Sequence, residues 1–251
     1  MRLPLLCLTL LLATGAVPAR AEAIKLQAAD GVAVYAEVWR APDRPGGAKP
    51  PVIIAFHQAG ANHAEYGPIA PRLVAAGFTV LAIDQRAGGD MFGAPNRTVA
   101  ALGRQTQFRA VLPDLEAALL WGHQAAAGAP VIAIGSSYSA ALVFLLAARH
   151  PGALAAILAF SPGEYLDGPE VVHQAAAQIQ IPVLVDSAKA PDEIAAAKSL
   201  LDAVSAAGKV QIVPHAGGVH GASTLRTDRD PAGAEENWRG VLAFLAPFAK
   251  P

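Results

Sequence analysis

Cysteine is almost absent from this sequence. The 251 residues contain a single cysteine, Cys7, close to the amino end. One cysteine cannot form an intramolecular disulfide, so the fold must be stabilised by a buried core, which a chain of this length can provide. The sequence also lacks a linker, an internal repeat and a low-complexity tract. We therefore expect one domain, over residues 22–251, rather than two.

An excess of positive charge is lacking as well. The chain carries 19 Lys and Arg against 20 Asp and Glu, and loss of Arg2 and Arg20 would raise the acidic excess from one residue to three. Such a balance provides neither the basic surface that nucleic acid requires nor a polybasic patch for lipid headgroups. We expect no nucleic-acid partner and no stable membrane anchor.

The first residues have the pattern of a secretory signal. Arg2 precedes an apolar stretch over 3–13, and the segment ends in the small residues Ala19 and Ala21. The apolar part is too short to span a bilayer, although an uncleaved anchor is the main alternative. We expect a signal peptide over 1–21. An alanine-rich chain without a cysteine after cleavage suggests a bacterial protein, either periplasmic or secreted.

The remaining sequence alternates apolar strands with helix-length segments. Residues 23–42 read as a hairpin around Asp30 and Gly31, a dipeptide that favours tight turns. The strands that follow are continuous apolar runs, as expected for a parallel sheet covered on both faces. These runs lie at 51–57, 78–84, 130–136, 154–161, 182–187 and 210–214. Helices are predicted at 64–76, 106–126, 139–149, 192–207 and 234–248. The pattern predicts an α/β fold whose mostly parallel sheet begins with an antiparallel hairpin.

A small polar cluster lies where the strand over 130–136 gives way to a helix. Catalytic groups collect at the carboxyl ends of strands in such sheets, which favours Ser137 as a nucleophile. A sharp turn there needs small residues two positions to each side, and Gly135 and Ser139 fill them. The alternative is a helix cap, in which Ser136 or Ser137 only satisfies free amides.

This cluster resembles the G-x-S-x-G nucleophile elbow of the α/β-hydrolase superfamily, with serine in place of the last glycine. The resemblance implies a catalytic acid and then a histidine later in the chain, because a serine hydroxyl needs both to act as a nucleophile. His220 and Gly221 resemble the His-Gly loop that follows the last strand in this superfamily. His215 is the competing base, but it lies at the strand end before the loop turns back.

The catalytic acid should follow the strand over 182–187, where three candidates occur. Asp186 lies within the strand itself. Asp192 resembles the acid of the superfamily because Glu and Ile follow it, yet it lies about two residues later than usual. Glu193 therefore remains a rival, and we expect Asp192 first and Glu193 second. Both could instead serve only as acids at a helix start.

An oxyanion hole needs two backbone N–H groups. The resemblance assigns them to Tyr138 and to Gln58, in the loop that follows the strand over 51–57. His57 and His63 in this loop are expected to pack around the site rather than to bind metal, since no carboxylate or cysteine cluster completes a site.

The segment at the end of the next strand resembles the D-x-R-G-x-G pattern of the superfamily. Asp84 and Arg86 are expected to hold that loop by hydrogen bonds rather than to act on substrate.

About twenty residues separate Ser161 from Ile181, which leaves room only for a short cap. A small, open site and a serine nucleophile resemble the dienelactone-hydrolase-like esterases. The expected function is an exported hydrolase of small carboxylic esters that uses no metal or cofactor and whose triad acts through an acyl-enzyme. A peptidase of the prolyl oligopeptidase type and a non-catalytic binding protein are the alternatives. Four side chains are expected to line the pocket: Tyr66, Phe92, Glu164 and Tyr165.

Overall fold

A computed structural model describes residues 20–250. Residues 1–19 of the predicted signal peptide lie outside the described part. Within 20–250, no helix is both long and apolar enough to cross a membrane.

Eight strands of the described residues form one sheet. In chain order they are β1 (Glu22–Gln27), β2 (Ala33–Trp39), β3 (Val52–Phe56), β4 (Thr79–Ile83), β5 (Val131–Ser136), β6 (Ala156–Phe160), β7 (Val183–Asp186) and β8 (Lys209–Ile212). Their spatial order is β1-β2-β4-β3-β5-β6-β7-β8. Strand β2 pairs antiparallel with both β1 and β4. All other neighbours in the sheet, from β4 through β3 and β5 to β8, pair in parallel.

Seven α-helices are found among the described residues, and they cover both faces of the sheet. They are α1 (Ala70–Ala75), α2 (Arg97–Leu102), α3 (Leu112–Ala126), α4 (Tyr138–Arg149), α5 (Val171–Ala176), α6 (Pro191–Ala203) and α7 (Ala234–Ala249). Helices α1 and α7 pack on one face, and helices α3 to α6 pack on the other. The side chains of β5 alternate between the two cores, which explains why this strand is apolar throughout.

The predicted fold class is confirmed, and two predicted helices start later than expected. The segment 64–76 is a short 3-10 turn, His63–Tyr66, followed by α1, and Pro71 lies in the first turn of that helix. The segment 106–126 begins as a 3-10 turn, Phe108–Val111, before Pro113 starts α3. Proline lacks an N–H and is best tolerated in the first turn of a helix, so Pro71 and Pro113 favour both starting points.

Candidate active site

The turn between β5 and α4 is strained at its centre. Ser137 has φ 58° and ψ −121°, a conformation that side-chain-bearing residues rarely adopt. Its N–H donates to the Phe160 carbonyl at 2.8 Å, which ties the turn to the end of β6. The residue is 8% exposed, so it is almost completely buried. Strain held in place by neighbouring strands is a feature of functional sites.

The two small residues of the turn have different reasons to be small. A Cβ on Gly135 would lie 2.3 Å from the Ser139 carbonyl oxygen, so only glycine fits there. Ser139 is buried, and its hydroxyl donates to the His57 carbonyl at 2.6 Å and accepts from Nε2 of Gln85 at 2.8 Å. The serine in the usual glycine position thus joins the elbow to the ends of β3 and β4.

Two hydrogen bonds connect Ser137, a histidine and an acid. Nε2 of His220 lies 2.8 Å from Ser137 Oγ, and Nδ1 of His220 lies 3.0 Å from Oε1 of Glu193. The Glu193 carboxylate accepts the Nδ1 proton, which leaves Nε2 free to accept the proton of Ser137. His220 is 40% exposed, so water can reach the imidazole.

The acid that contacts His220 is Glu193, the second candidate from the sequence, and not Asp192, the first. Helix α6 begins at Pro191, so both acids lie in its first turn. Asp192 is exposed there, whereas the longer Glu193 side chain reaches His220. His215, the competing base, is 91% exposed and pairs with Glu236 on the surface. Asp186 is fully buried and forms no contact with His220.

The predicted oxyanion donor Gln58 is also corrected. Its backbone N–H donates to Oε2 of Glu65 at 2.8 Å and is therefore not free. The next backbone N–H, of Ala59, donates to no acceptor within residues 20–250. The Tyr138 N–H lies at the first position of α4, where the helix offers no acceptor. The free donors beside the elbow are consequently those of Ala59 and Tyr138.

The two histidines of this loop are structural. Nδ1 of His57 donates to the Gln58 carbonyl at 2.8 Å, and Nε2 accepts the Gln85 N–H at 2.9 Å. Burial lowers the pKa of His57 to about 4, so its ring is neutral at neutral pH. His63 contacts Asp84 at 2.6 Å. Among the described residues, no group of three or more His, Cys, Asp or Glu side chains is arranged to hold a metal ion.

Asp84 and Arg86 hold the loop after β4, in agreement with the sequence-based expectation. Asp84 accepts from the His63 N–H at 2.9 Å and from Nε of Arg97 at 2.9 Å. Arg86 donates to Asp114 from its backbone N–H and from Nε, and it also pairs with Asp30 in the hairpin turn.

Of the four predicted pocket residues, Tyr165 lines a cavity among the described residues, and the other three side chains have partners elsewhere. Tyr66 is fully buried in the core, where its hydroxyl donates to the Phe56 carbonyl at 2.8 Å. Glu164 accepts the N–H groups of Val172 and His173 at the start of α5. The ring of Phe92 packs against the guanidinium groups of Arg226 and Arg229, at 4.5 and 5.3 Å from the ring centre.

The cavity beside Tyr165 has a volume of about 310 Å³. Tyr165 is 37% exposed, and its hydroxyl donates to the Ser161 carbonyl at 3.2 Å. Phe108, which the sequence did not indicate, lies opposite and stacks on Tyr138 with ring centres 4.2 Å apart. Phe108 therefore contacts the residue that follows Ser137, and Tyr165 contacts Ser161, whose hydroxyl accepts the Gly221 N–H at 2.9 Å. A larger groove of about 760 Å³, between α3, α4 and α5, contains no triad residue.

Comparison with known proteins agrees with this architecture. The model of a protein family, the dienelactone hydrolase family, matches residues 38–249. No curated protein sequence matches the chain.

Several solved structures have the same fold. An esterase of Pyrococcus furiosus has a TM-score of 0.68 and 16% identity, with 92% of this chain and 93% of that chain covered. A dienelactone hydrolase of Anabaena variabilis has a TM-score of 0.68 and 14% identity, with 93% and 100% covered. A thermostable carboxyl esterase of Bacillus coagulans has a TM-score of 0.70 and 12% identity, with 92% and 99% covered. At these identities the likeness shows the shared fold.

Proposed function

The chain belongs to the dienelactone hydrolase family and is a carboxylic-ester hydrolase, and we propose that its reaction runs through Ser137, His220 and Glu193 by way of an acyl-enzyme. The observation that carries this proposal is the continuous pair of hydrogen bonds from Glu193 through His220 to Ser137. Each contact has the length that proton transfer from the serine requires.

In the first half of the reaction, Ser137 Oγ attacks the ester carbonyl carbon while Nε2 of His220 takes its proton. Glu193 accepts the Nδ1 proton and stabilises the imidazolium that forms. The negative oxygen of the tetrahedral intermediate receives the N–H groups of Ala59 and Tyr138. Nε2 then protonates the leaving alkoxide as the carbon–oxygen bond breaks, which leaves an acyl group on Ser137.

In the second half, a water molecule takes the place of the alcohol. His220 removes one water proton, the resulting hydroxide attacks the acyl carbon, and the proton passes to Ser137 Oγ as the acid leaves. The exposure of His220 gives water access to the base.

The substrate we propose is a small-molecule ester that fits an open site. The segment between β6 and β7 contains one short helix, α5, so no long cap closes over Ser137. The cavity between Phe108 and Tyr165 offers aromatic walls for one side of the ester.

The enzyme acts, in this proposal, after export into the periplasm or the medium. The support is the signal pattern over residues 1–21, and the first strand starts directly after it, at Glu22. Expression of the full chain followed by amino-terminal sequencing of the exported protein tests this point, with Glu22 expected as the first residue. Recovery of the uncleaved chain in the cytoplasm would contradict export.

The reaction is tested with a fluorophosphonate probe and a panel of p-nitrophenyl esters. We expect the probe to label Ser137, short esters to be hydrolysed faster than long ones, and Ser137→Ala to lose both activities while remaining folded. Full hydrolysis by Ser137→Ala would overturn the mechanism. Faster cleavage of peptide anilides would favour a peptidase, and a protein that neither labels nor hydrolyses would be a binding protein with this fold.

A further inference from the structure

Glu65 is a buried carboxylate that the triad mechanism does not use. It lies in the 3-10 turn His63–Tyr66, just after the loop that carries Ala59, and its side chain is inaccessible to solvent. Oε2 accepts the Gln58 backbone N–H at 2.8 Å, and Oε1 accepts the Ser136 hydroxyl at 2.8 Å and Nε2 of Gln58 at 3.2 Å. A buried carboxylate that accepts three hydrogen bonds is held in a fixed position, unlike a carboxylate in a surface ion pair.

Ser136 extends this contact to the loop that carries the catalytic base. Its hydroxyl accepts the Ala222 N–H at 2.8 Å, two residues after His220. A Cβ on Gly221 would lie 2.4 Å from Ser136 Oγ, so the loop is packed directly on this hydroxyl. Ser136 has one hydroxyl hydrogen, and its donation to Glu65 leaves a lone pair for the Ala222 N–H.

Glu65 therefore joins three segments that must keep a fixed geometry. It holds the oxyanion loop through Gln58, the elbow through Ser136, and the His220 loop through the second bond of Ser136. By occupying the Gln58 N–H, the carboxylate leaves the Ala59 N–H as the free donor of that loop. A neutral amide in its place could not accept from all three donors, because one of its two terminal atoms is itself a donor.

Burial and the neighbouring polar groups shift the pKa of Glu65 in opposite directions. Burial raises its pKa to about 7, while the Gln58 and Ser136 hydrogen bonds and the Arg226 guanidinium favour the ionised form. Arg226 also donates to the Glu65 carbonyl at 3.3 Å.

We propose that Glu65 is a positioning residue for ester hydrolysis, which sets the oxyanion loop and the His220 loop relative to Ser137. This inference rests on the proposed function. It assigns no contact between Glu65 and the substrate.

The test compares Glu65→Gln with a matched control, Asp186→Asn, in purified protein. Asp186 is also a fully buried carboxyl whose pKa is raised by burial, but among residues 20–250 its carboxylate forms no hydrogen bond with the loop of Gln58, with Ser136 or with the His220 loop. Active sites are counted with the fluorophosphonate, so that kcat refers to folded enzyme. We expect Glu65→Gln to lose on the order of 10- to 100-fold in kcat with little change in KM, because a misplacement near 1 Å costs that much. Asp186→Asn should keep the wild-type kcat.

A double-mutant cycle with Ser136→Ala tests the route of the effect. If Glu65 acts partly through Ser136, the double variant should lose less than the product of the two single losses. If Glu65→Gln does not fold, Ser136→Ala carries the test, since it keeps the carboxylate and should still lower kcat without changing KM.

Three results would overturn the inference. They are a folded Glu65→Gln with wild-type kcat, a change in KM alone, and losses that multiply in the double variant. A wild-type protein without ester turnover would contradict the proposed function itself and remove the basis of the inference. Wild-type turnover with unaffected Glu65 variants would contradict only the inference.

Discussion

The Glu193 carboxylate, and not that of its neighbour Asp192, lies 3.0 Å from Nδ1 of His220. This relationship predicts unequal effects of two conservative substitutions. Glu193→Gln should lower kcat by roughly 10³- to 10⁴-fold, because an amide stabilises neither the required tautomer nor the imidazolium. Asp192→Asn should stay within about twofold of wild type, since Asp192 is exposed. Steady-state hydrolysis of p-nitrophenyl acetate measures both, and a larger loss in Asp192→Asn would reassign the acid.

The free N–H of Ala59 predicts that this position tolerates side chains but not the loss of the amide hydrogen. Ala59→Pro removes the N–H and should lower kcat on the order of 10²- to 10³-fold, the usual effect of deleting an oxyanion donor. Ala59→Ser keeps the N–H and serves as the control, with near wild-type kcat expected. Circular dichroism verifies that both variants are folded. Equal activity in folded Ala59→Pro would show that another group stabilises the oxyanion.

The buried hydroxyl of Ser139 predicts that restoring the usual glycine weakens this protein. Ser139→Gly leaves the His57 carbonyl and the Gln85 amide without their partner, so the free energy of unfolding should fall by about 1–3 kcal/mol. Ser139→Ala should have an effect of similar size. Urea unfolding measures the change, and a glycine variant as stable as wild type would mean that these two hydrogen bonds contribute nothing net.

The neutral state of His57 predicts a loss of stability in acid. The pKa of His57 is about 4 in the folded protein against 6.5 when unfolded, so the unfolded state binds more protons between these values. The contribution of His57 is complete above pH 6.5 and decreases as the pH falls towards 4, by about 3 kcal/mol in total. NMR follows protonation of the His57 imidazole as the pH is lowered. The His57 resonance is the one that is absent from the spectrum of His57→Gln. We expect no titration above pH 5, and a midpoint near 6.5 would contradict the prediction.

Local sequence patterns were sufficient for the sheet and the elbow. The parallel strands β3 to β7 are mostly apolar runs, as required of strands covered on both faces, and this is visible without tertiary information. The edge strand β8 is partly exposed and contains Lys209 and Gln211. The elbow is similarly local, because Gly135 and Ser139 are small for reasons that arise within five residues. Helix α2, which the strand and helix pattern does not predict, has a local signal, since the Asn96 side chain caps the Val99 N–H and Gly103 ends the helix.

The remaining errors concern contacts between distant segments. Asp192 and Glu193 are adjacent in sequence, and only the direction in which α6 starts decides which one meets His220. The Gln58 N–H is unavailable because Glu65 folds back on it, and Phe108 lines the cavity because it stacks on Tyr138. None of these pairings has a periodicity or a motif that a single sequence could reveal.

The triad is assembled from segments that follow β5, β7 and β8, and 83 residues separate Ser137 from His220. Parallel neighbours are joined by crossovers, so these contacts close large chain loops and form slowly. During refolding, helical signal should therefore return before ester hydrolysis does. The return of hydrolytic activity therefore reports the final docking of the carboxyl-terminal third of the chain, which carries Glu193 and His220.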